Sequence, residues 1–364
     1  MQDRYVADEA RVSISSLEAE TIMKSTPVQT VKSILGRIGI EYEDGLPKEA
    51  YISALKEEFC SEPKWVLLML PKVMLDFLTE VWENSVIAMT EERWNYIEYL
   101  KIFGFLAYQM GNPVTDEPNR LIVVEEMKDN FYFLLKSRKN RKLLSVYDEW
   151  EKIITGFMYY YGFIETRTLY SLFLKVSKKV ISYEDFLLFI KCRTSLWPFG
   201  AILKDTFEKN EYFQYLNVEN PDMLLEYVRQ HENLPYKPIK LEDLMYVSDV
   251  AGIDNRWRGV SELGNLFIDK MGLNYYRATV LVRTLLIMIK NGSSYEKLQE
   301  KVSILSFENA QIREEVQQAV RQIFENVPVF EYKGYSRAEY KRLSYQKQLK
   351  KRKNLFTIID GGKE

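Results

Sequence analysis

The chain has 364 residues, and its one histidine and two cysteines exclude zinc-finger and disulfide scaffolds, because a structural zinc site needs about four close ligands. A composition of 46% hydrophobic and 28% charged residues is typical of a globular protein and excludes a disordered one. The formal net charge of −2 provides no overall field that would attract a polyanion. The low content of glycine and proline favours helix.

The sequence predicts neither a membrane span nor a signal peptide. The most apolar stretch, residues 279–289, is short and is interrupted by Arg283. The first sixteen residues carry acids where a signal peptide needs a basic and then an apolar stretch. We therefore expect a cytoplasmic protein in which Cys60 and Cys192 are small core residues rather than a disulfide.

The N-terminal region, residues 1–86, is predicted to be helical. Residues 1–26 are polar and mixed, which indicates a loosely ordered lead or a docking helix. Apolar residues then recur at helical spacing between 28 and 38, and a second helix begins near Pro47. Pro63 and Pro71 mark the starts of two further short helices.

Two helix–hairpin units follow, over residues 87–142 and 143–233. In the first, Thr90 is a plausible N-cap for a helix that ends at Phe103, and β-rich runs at 104–110 and 120–124 predict a hairpin. In the second, helices over 147–161, 168–177 and 182–193 precede a hairpin over 200–204 and 212–215. Helices followed by a hairpin are typical of a winged helix, so the sequence predicts tandem winged-helix-like units.

The last part, residues 239–364, follows a predicted linker at 234–238 and shows only helical patterns. It ends in a basic helix within the tail 333–353. The predicted fold class is therefore mainly α with small β-hairpins, in which the two winged-helix-like units are followed by a C-terminal helical domain.

Two short segments resemble a loose group of Firmicutes helical proteins. Residues 156–162 (GFMYYYG) resemble a GLLYYYG-like segment of that group, and residues 330–340 resemble its xWxLKGYTPxEL segment. Relatives often carry a SEC-C zinc motif after the second segment, and this chain has none. The group brings no established activity, so the resemblance implies the architecture and a bacterial or mobile-element origin, and no catalytic residue.

Common catalytic motifs are not found in the sequence. A histidine-based triad would have to use His231, which lies at a predicted helix end, where a positive imidazole is favoured by the helix dipole. Neither a G-x-S-x-G elbow nor a glycine-rich phosphate loop occurs. Acid pairs such as Glu125–Glu126 fall on helix starts or solvated faces. The run Tyr159–Tyr161 cannot form one stacking platform, because consecutive helical residues point about 100° apart. We expect these tyrosines to pack in the core or between helices. We expect no catalytic, cofactor or metal site.

Two basic clusters are the candidate binding residues, for nucleic acid or for an acidic partner. The tail 333–353 carries a charge of +8, and the rest of the chain carries −10. Such a tail could bind phosphates by counterion release, could dock onto the acidic body of the same chain or of a second copy, or could be a solvated helix. The candidate residues are Lys136, Arg138, Lys139, Arg141 and Lys142 in one cluster, and Lys347, Lys350, Lys351, Arg352 and Lys353 in the other.

The helices that precede the two hairpins argue against sequence-specific DNA reading. They begin with Glu91–Glu92 and with Glu184–Asp185, and these acids would repel a phosphate backbone. The first functional hypothesis is therefore a non-enzymatic interaction or adaptor protein, from a bacterial mobile element or defence system, with a protein partner or self-association. The alternative is a nucleic-acid-binding protein that makes non-specific phosphate contacts through 136–142 and 333–353.

Overall fold

A computed structural model describes residues 10–17, 27–37, 40, 43, 45–61, 64–110, 119–194, 200–204, 210–249 and 253–360. For residues 10–17, 37, 60, 91–92, 249 and 350–360 it describes the backbone and not the side chains. Over the described part the protein is mainly helical, as predicted, with small sheets between the helices.

The helices begin and end close to the predicted positions in most cases. In chain order they are α1 (Val28–Arg37), α2 (Lys48–Ser61), α3 (Lys64–Met69), α4 (Lys72–Glu83), α5 (Glu91–Ile102), α6 (Glu125–Lys136), α7 (Arg138–Tyr161), α8 (Thr166–Ser177), α9 (Tyr183–Arg193), α10 (Pro221–Gln230), α11 (Leu241–Asp249), α12 (Val260–Asn265), α13 (Tyr275–Lys290), α14 (Tyr295–Ser303), α15 (Ala310–Asn326) and α16 (Arg337–Asp360).

The chain forms two compact units. The first consists of Met1–Glu151 and Ile181–Phe199, and the second of Lys152–Val180 and Gly200–Glu364. Helix α7 therefore contributes its first part to one unit and its last turns to the other. The predicted linker at 234–238 lies inside the second unit. The four-part division with boundaries at 86, 142 and 233 stays a prediction.

A four-stranded sheet lies in the first unit. Its strands are β1 (Ala10–Leu17), β2 (Val86–Met89), β3 (Leu106–Gln109) and β4 (Arg120–Val124), in the order β2-β1-β4-β3. The antiparallel β3–β4 pair confirms the first predicted hairpin. Strand β1 corrects the interpretation of residues 1–26, since 10–17 are neither loose nor helical. Only Val12 and Ile14 alternate with polar residues there, and so short an alternation is a weak strand signal.

A three-stranded sheet lies in the second unit. It has the order β5-β7-β6, with β5 (Phe163–Glu165), β6 (Ala201–Lys204) and β7 (Glu211–Gln214) all antiparallel. The β6–β7 pair confirms the second predicted hairpin. Strand β5 was not predicted, because three residues directly after a long helix give almost no periodicity.

Two helices whose first residues were predicted correctly begin with a side-chain cap. Thr90 accepts a hydrogen bond from the backbone N–H of Arg93 at 3.3 Å, which confirms it as the N-cap of α5. Ser182 accepts one from Asp185 N–H at 3.0 Å and starts α9. One start is wrong: α7 begins at Arg138 and not at Tyr147, so cations 138–142 are helical rather than part of a connection between units.

Buried tyrosines pack the second unit. Tyr159, Tyr160 and Tyr161 are each at most 5% exposed, which confirms the packing interpretation of this run. Tyr159 stacks on Trp257 with ring centroids 5.5 Å apart, and the Tyr161 hydroxyl donates to the Lys237 carbonyl at 2.6 Å. The aromatic residues of the run are therefore structural contacts of the core.

We expect these tyrosines to make the second unit unfold at alkaline pH. Burial raises the pKa of Tyr159, Tyr160, Tyr161 and Tyr236, and raises the pKa of Tyr332 to about 12. In the unfolded chain a phenol ionises near pH 10. The unfolded state therefore holds fewer protons above that pH, and the free energy of unfolding falls as pH rises through 10 toward 12.

Titration of tyrosinate absorbance, with and without urea, measures this effect. The expected result is a steep increase in tyrosinate absorbance above pH 10, at the pH at which helical circular dichroism is lost. If all tyrosines ionised near pH 10 while the helices remained intact, the expectation would be wrong.

Candidate functional site

The only histidine of the sequence has a structural position. His231 follows the last residue of α10, as predicted, and its Nδ1 lies 2.9 Å from the Tyr227 carbonyl oxygen. Since a carbonyl can only accept, Nδ1 carries the proton in this arrangement. The imidazole lines a groove of about 450 Å³ at the start of α16 and meets the Tyr340 ring edge-on.

Metal and membrane features are missing from the part of the chain that the structure describes. No group of three or more His, Cys, Asp or Glu side chains converges there in a way that could hold a metal ion. None of its helices is both long and apolar enough to cross a bilayer. Cys192 is fully buried, in agreement with the prediction of a core residue, and the Cys60 side chain lies outside the described residues.

The first basic cluster is only partly neutralised by its own unit. Lys136, at the end of α6, pairs with the Glu83 carboxylate and donates to the Tyr132 hydroxyl at 2.8 Å. The hydrogen bond from Lys136 lowers the pKa of Glu83, and the same bond raises the pKa of Lys136. Lys136 is therefore engaged with its own surface.

The other four cations of this cluster lie on the first two turns of α7. Ser137 caps that helix, because its Oγ accepts from Asn140 N–H at 3.2 Å. The side chains are exposed and form no ion pair within the described residues: Arg138, Lys139, Arg141 and Lys142. Cations at a helix N-terminus oppose the helix dipole. An anion bound there would be attracted both by these cations and by the positive end of the helix dipole.

The beginning of the basic tail is built into the second unit. Arg337 is 9% exposed, and its guanidinium donates to the Ser293 carbonyl at 3.0 Å and lies 4.0 Å from the Phe324 ring centroid. Lys333 is buried and donates to the His231 carbonyl at 2.8 Å. Lys341 pairs with a glutamate of α15 at 3.2 Å. Lys333 and Arg337 are therefore structural, whereas Lys341 is exposed and makes only a surface ion pair.

The next part of the tail, up to Leu349, is a solvent-exposed stretch of helix. From Lys341 to Leu349 every described side chain is exposed except Ser344, and Tyr345 is 63% exposed. Arg342 and Lys347 have no ion pair within the part of α16 whose side chains are described. The backbone continues as helix to Asp360, while the side chains of Lys350, Lys351, Arg352 and Lys353 lie outside the described residues.

A buried lysine is a feature that the sequence did not reveal. Lys290 is 2% exposed, and its ammonium donates to the Tyr159 carbonyl and lies 3.3 Å from the centroid of that ring. Tyr159 is in the last turn of α7, where carbonyls have no partner inside the helix. Burial lowers the pKa of Lys290 well below its ordinary value. Lys290 therefore binds a carbonyl at the C-terminal end of α7 that has no partner within the helix. No periodic sequence pattern could have predicted this contact.

Comparison with known proteins gives no relative from which a role could be transferred. The chain matches no protein-family model, no curated protein and no solved structure. The two exposed basic surfaces thus have to be interpreted from their own chemistry.

Proposed function

We propose that the protein is a non-enzymatic interaction protein that docks through the exposed part of α16, from Arg342 onward. The observation that carries the proposal is that this helix continues beyond its last packed turn with basic and apolar side chains in solvent, including Leu343 and Leu349. Most of the stability of a helix in a protein comes from packing one of its faces. A partner surface would supply that packing.

Charge indicates an acidic partner. Between Glu339 and Asp360 the sequence of α16 contains cations and no acid, whereas the rest of the chain is acidic by ten charges outside residues 333–353. A second copy of this chain offers such an acidic surface. We therefore propose self-association, in which the exposed part of α16 of one copy contacts the acidic body of another.

Neutralising α16 is expected to abolish this association. The variant carries glutamine, a residue of similar helix propensity, at 342, 347, 350, 351, 352 and 353. Sedimentation velocity at about 50 mM salt should show wild-type oligomers that dissociate toward the 43.1 kDa monomer at about 500 mM. The variant should be monomeric at both concentrations.

A matched control carries glutamine at 138, 139, 141 and 142, which removes four exposed cations from a different helix. It should associate like the wild type. A wild type that is monomeric at low salt, or a control that dissociates like the α16 variant, would contradict self-association through α16.

The second candidate function is non-specific nucleic-acid binding, and the four exposed cations at the start of α7 favour it. Each lost phosphate contact reduces the slope of log affinity against log salt by about 0.9. If duplex DNA binds, the control variant at 138–142 should lower that slope by up to roughly 3.6, equally for two scrambled sequences.

Winged-helix-like architecture and a bacterial origin remain part of the proposal. Within the second unit the order β5, α8, β6, β7 supports this architecture, because the short strand β5 pairs with the last strand of the hairpin. The acids at the start of α5 and α9 favour protein contacts over base reading in such units.

A further inference from the structure

A groove on the second unit combines features that differ from those of α16. It has a volume of about 460 Å³ and lies between residues 253–255, α12, the π-helical turn Leu266–Lys270 and α13. Its apolar lining comes from Ile253, Val260, Ala278 and Val282. This volume falls in the range of small-ligand sites and is large enough for one planar ring system.

The rim of the groove carries aromatic and polar groups. Tyr275 lines it and is 77% exposed, although aromatic side chains are usually buried in this protein. Asn255, Ser261 and Asn265 also line it, and the Ser261 hydroxyl donates to the Asn255 carbonyl at 3.1 Å. Tyr276, 71% exposed, lies next to the groove on the same helix.

The charge of the groove is positive in a protein whose body is acidic. Arg283 lines it, and no carboxylate side chain does so among the described residues. Three acids, Asp254, Glu262 and Asp269, are adjacent in sequence to lining residues, and none of them lines the groove. Asp254 binds the Arg256 guanidinium at 2.7 Å, and the Glu262 carboxylate accepts from Gly259 N–H at 2.9 Å.

These features define the chemistry of a ligand. An apolar floor beside an exposed tyrosine accepts a flat aromatic ring by stacking. Asparagine side chains can bind the polar edge of a nucleobase, and an unpaired arginine binds phosphate. Tyr276 and Arg277 continue the exposed aromatic and basic surface beyond the groove, where a second base and phosphate of the same strand would lie.

We infer that this groove binds one unpaired base of single-stranded nucleic acid, with Tyr275 stacking on the base and Arg283 contacting its phosphate. A base can enter only when it is unstacked, so duplexes are excluded from the groove. The inference goes beyond the proposed function, because it uses a different surface and needs no residue of α16.

Gly264 provides a test that fills the groove. It lines the groove on α12, and a Cβ built there meets no other atom within 4 Å. Gly264→Phe therefore places a ring in the groove without a backbone clash, and Gly264→Ala is the matched control. The probe is a fluorescein-labelled oligo(dT) of about 12 nucleotides, followed by anisotropy with the full-length chain.

Gly264→Phe is expected to weaken binding about tenfold or more, while Gly264→Ala binds like the wild type. Tyr275→Ala and Arg283→Gln are each expected to weaken it about tenfold, and both side chains are at the surface, so these variants stay informative if Gly264→Phe does not fold. In the α16-neutralised chain, the ratio of the oligonucleotide affinities of Gly264→Ala and Gly264→Phe is expected to be the same. This result separates the inference from the proposed self-association.

Three results would overturn the inference. The first is wild-type protein that does not bind the oligonucleotide at low salt, or variants that bind it equally well. The second is full competition by thymidine monophosphate at equal concentration of nucleotide units, which would assign the groove to a free nucleotide. The third is an oligo-glutamate peptide that binds with the same sensitivity to Gly264→Phe, which would assign it to an acidic protein segment.

Discussion

Gly162→Ala is expected to lower the free energy of unfolding of the second unit by about 2–4 kcal/mol. Gly162 follows α7 with a φ of +68°, where an L side chain is strained by about 1 kcal/mol. An alanine Cβ would also lie 2.7 Å from Cδ2 of the Phe330 ring, which is 1% exposed and cannot move into solvent. The strain and the clash add.

Gly272→Ala separates the cost of backbone strain from the cost of the steric clash. Gly272 has a φ of +64° in the same unit, but a Cβ there meets no atom within 4 Å. It should cost only the backbone strain, about 1 kcal/mol. Hydrogen exchange of peptides from residues 152–161 of α7 and from α15 during urea unfolding resolves the second unit from the first, since a two-unit chain need not unfold in one step. If both variants lost the same free energy of unfolding, Phe330 would not restrict position 162.

Glu151→Gln is expected to destabilise the first unit by about 3 kcal/mol. Arg193, in the last turn of α9, is fully buried, and its Nε lies 3.3 Å from Oε2 of Glu151. Among the described residues none of its three side-chain nitrogens has a hydrogen-bond partner, so the guanidinium depends on electrostatic attraction and on the Phe189 ring at 5.3 Å. Burial lowers the pKa of Arg193. Removing Glu151, the larger of the two acidic influences on Arg193, leaves the buried cation with only the weaker attraction of Asp148.

Arg193→Met should behave differently, although it breaks the same pair. It replaces the buried cation with an apolar side chain of similar length, a change that is often neutral or stabilising. Glu151 retains 15% side-chain exposure and so keeps some solvation. Amide exchange in α9 should therefore accelerate about 100-fold in Glu151→Gln and change little in Arg193→Met. Equal destabilisation of both variants would indicate that the pair itself, rather than the unpaired cation, determines the energy.

Helices with a side-chain cap and a clear apolar period could be predicted to within a few residues. Thr90 and Ser182 each bond to the third residue after them, and such spacing can be read directly from the sequence. The helix end beside His231 was likewise predicted correctly, since His231 directly follows α10. Local interactions determine these boundaries, so a single sequence contains the information.

Features that depend on distant residues were missed. Strand β1 is held by partners near residues 86–89 and 120–124, and its own sequence shows little alternation. The sequence left open whether the tail 333–353 binds phosphates, docks onto an acidic body or is a solvated helix, and it could not separate the cations from one another. Lys333 and Arg337 are bound by carbonyls from other segments, whereas Arg342 and Lys347 are exposed. Tertiary contacts with backbone carbonyls leave no spacing signal in a sequence.

The division of the chain between the two units has a consequence for the order in which the protein can fold during synthesis. Helix α9 belongs to the first unit and packs against α3, whose residues from Trp65 to Met69 are buried. A ribosome has already produced residues 152–180 of the other unit before α9 emerges. Until then the nascent first unit leaves the apolar surface of α3 uncovered, a state in which chains aggregate or require chaperones. A gene fragment that ends at Glu151 would make that transient exposure permanent.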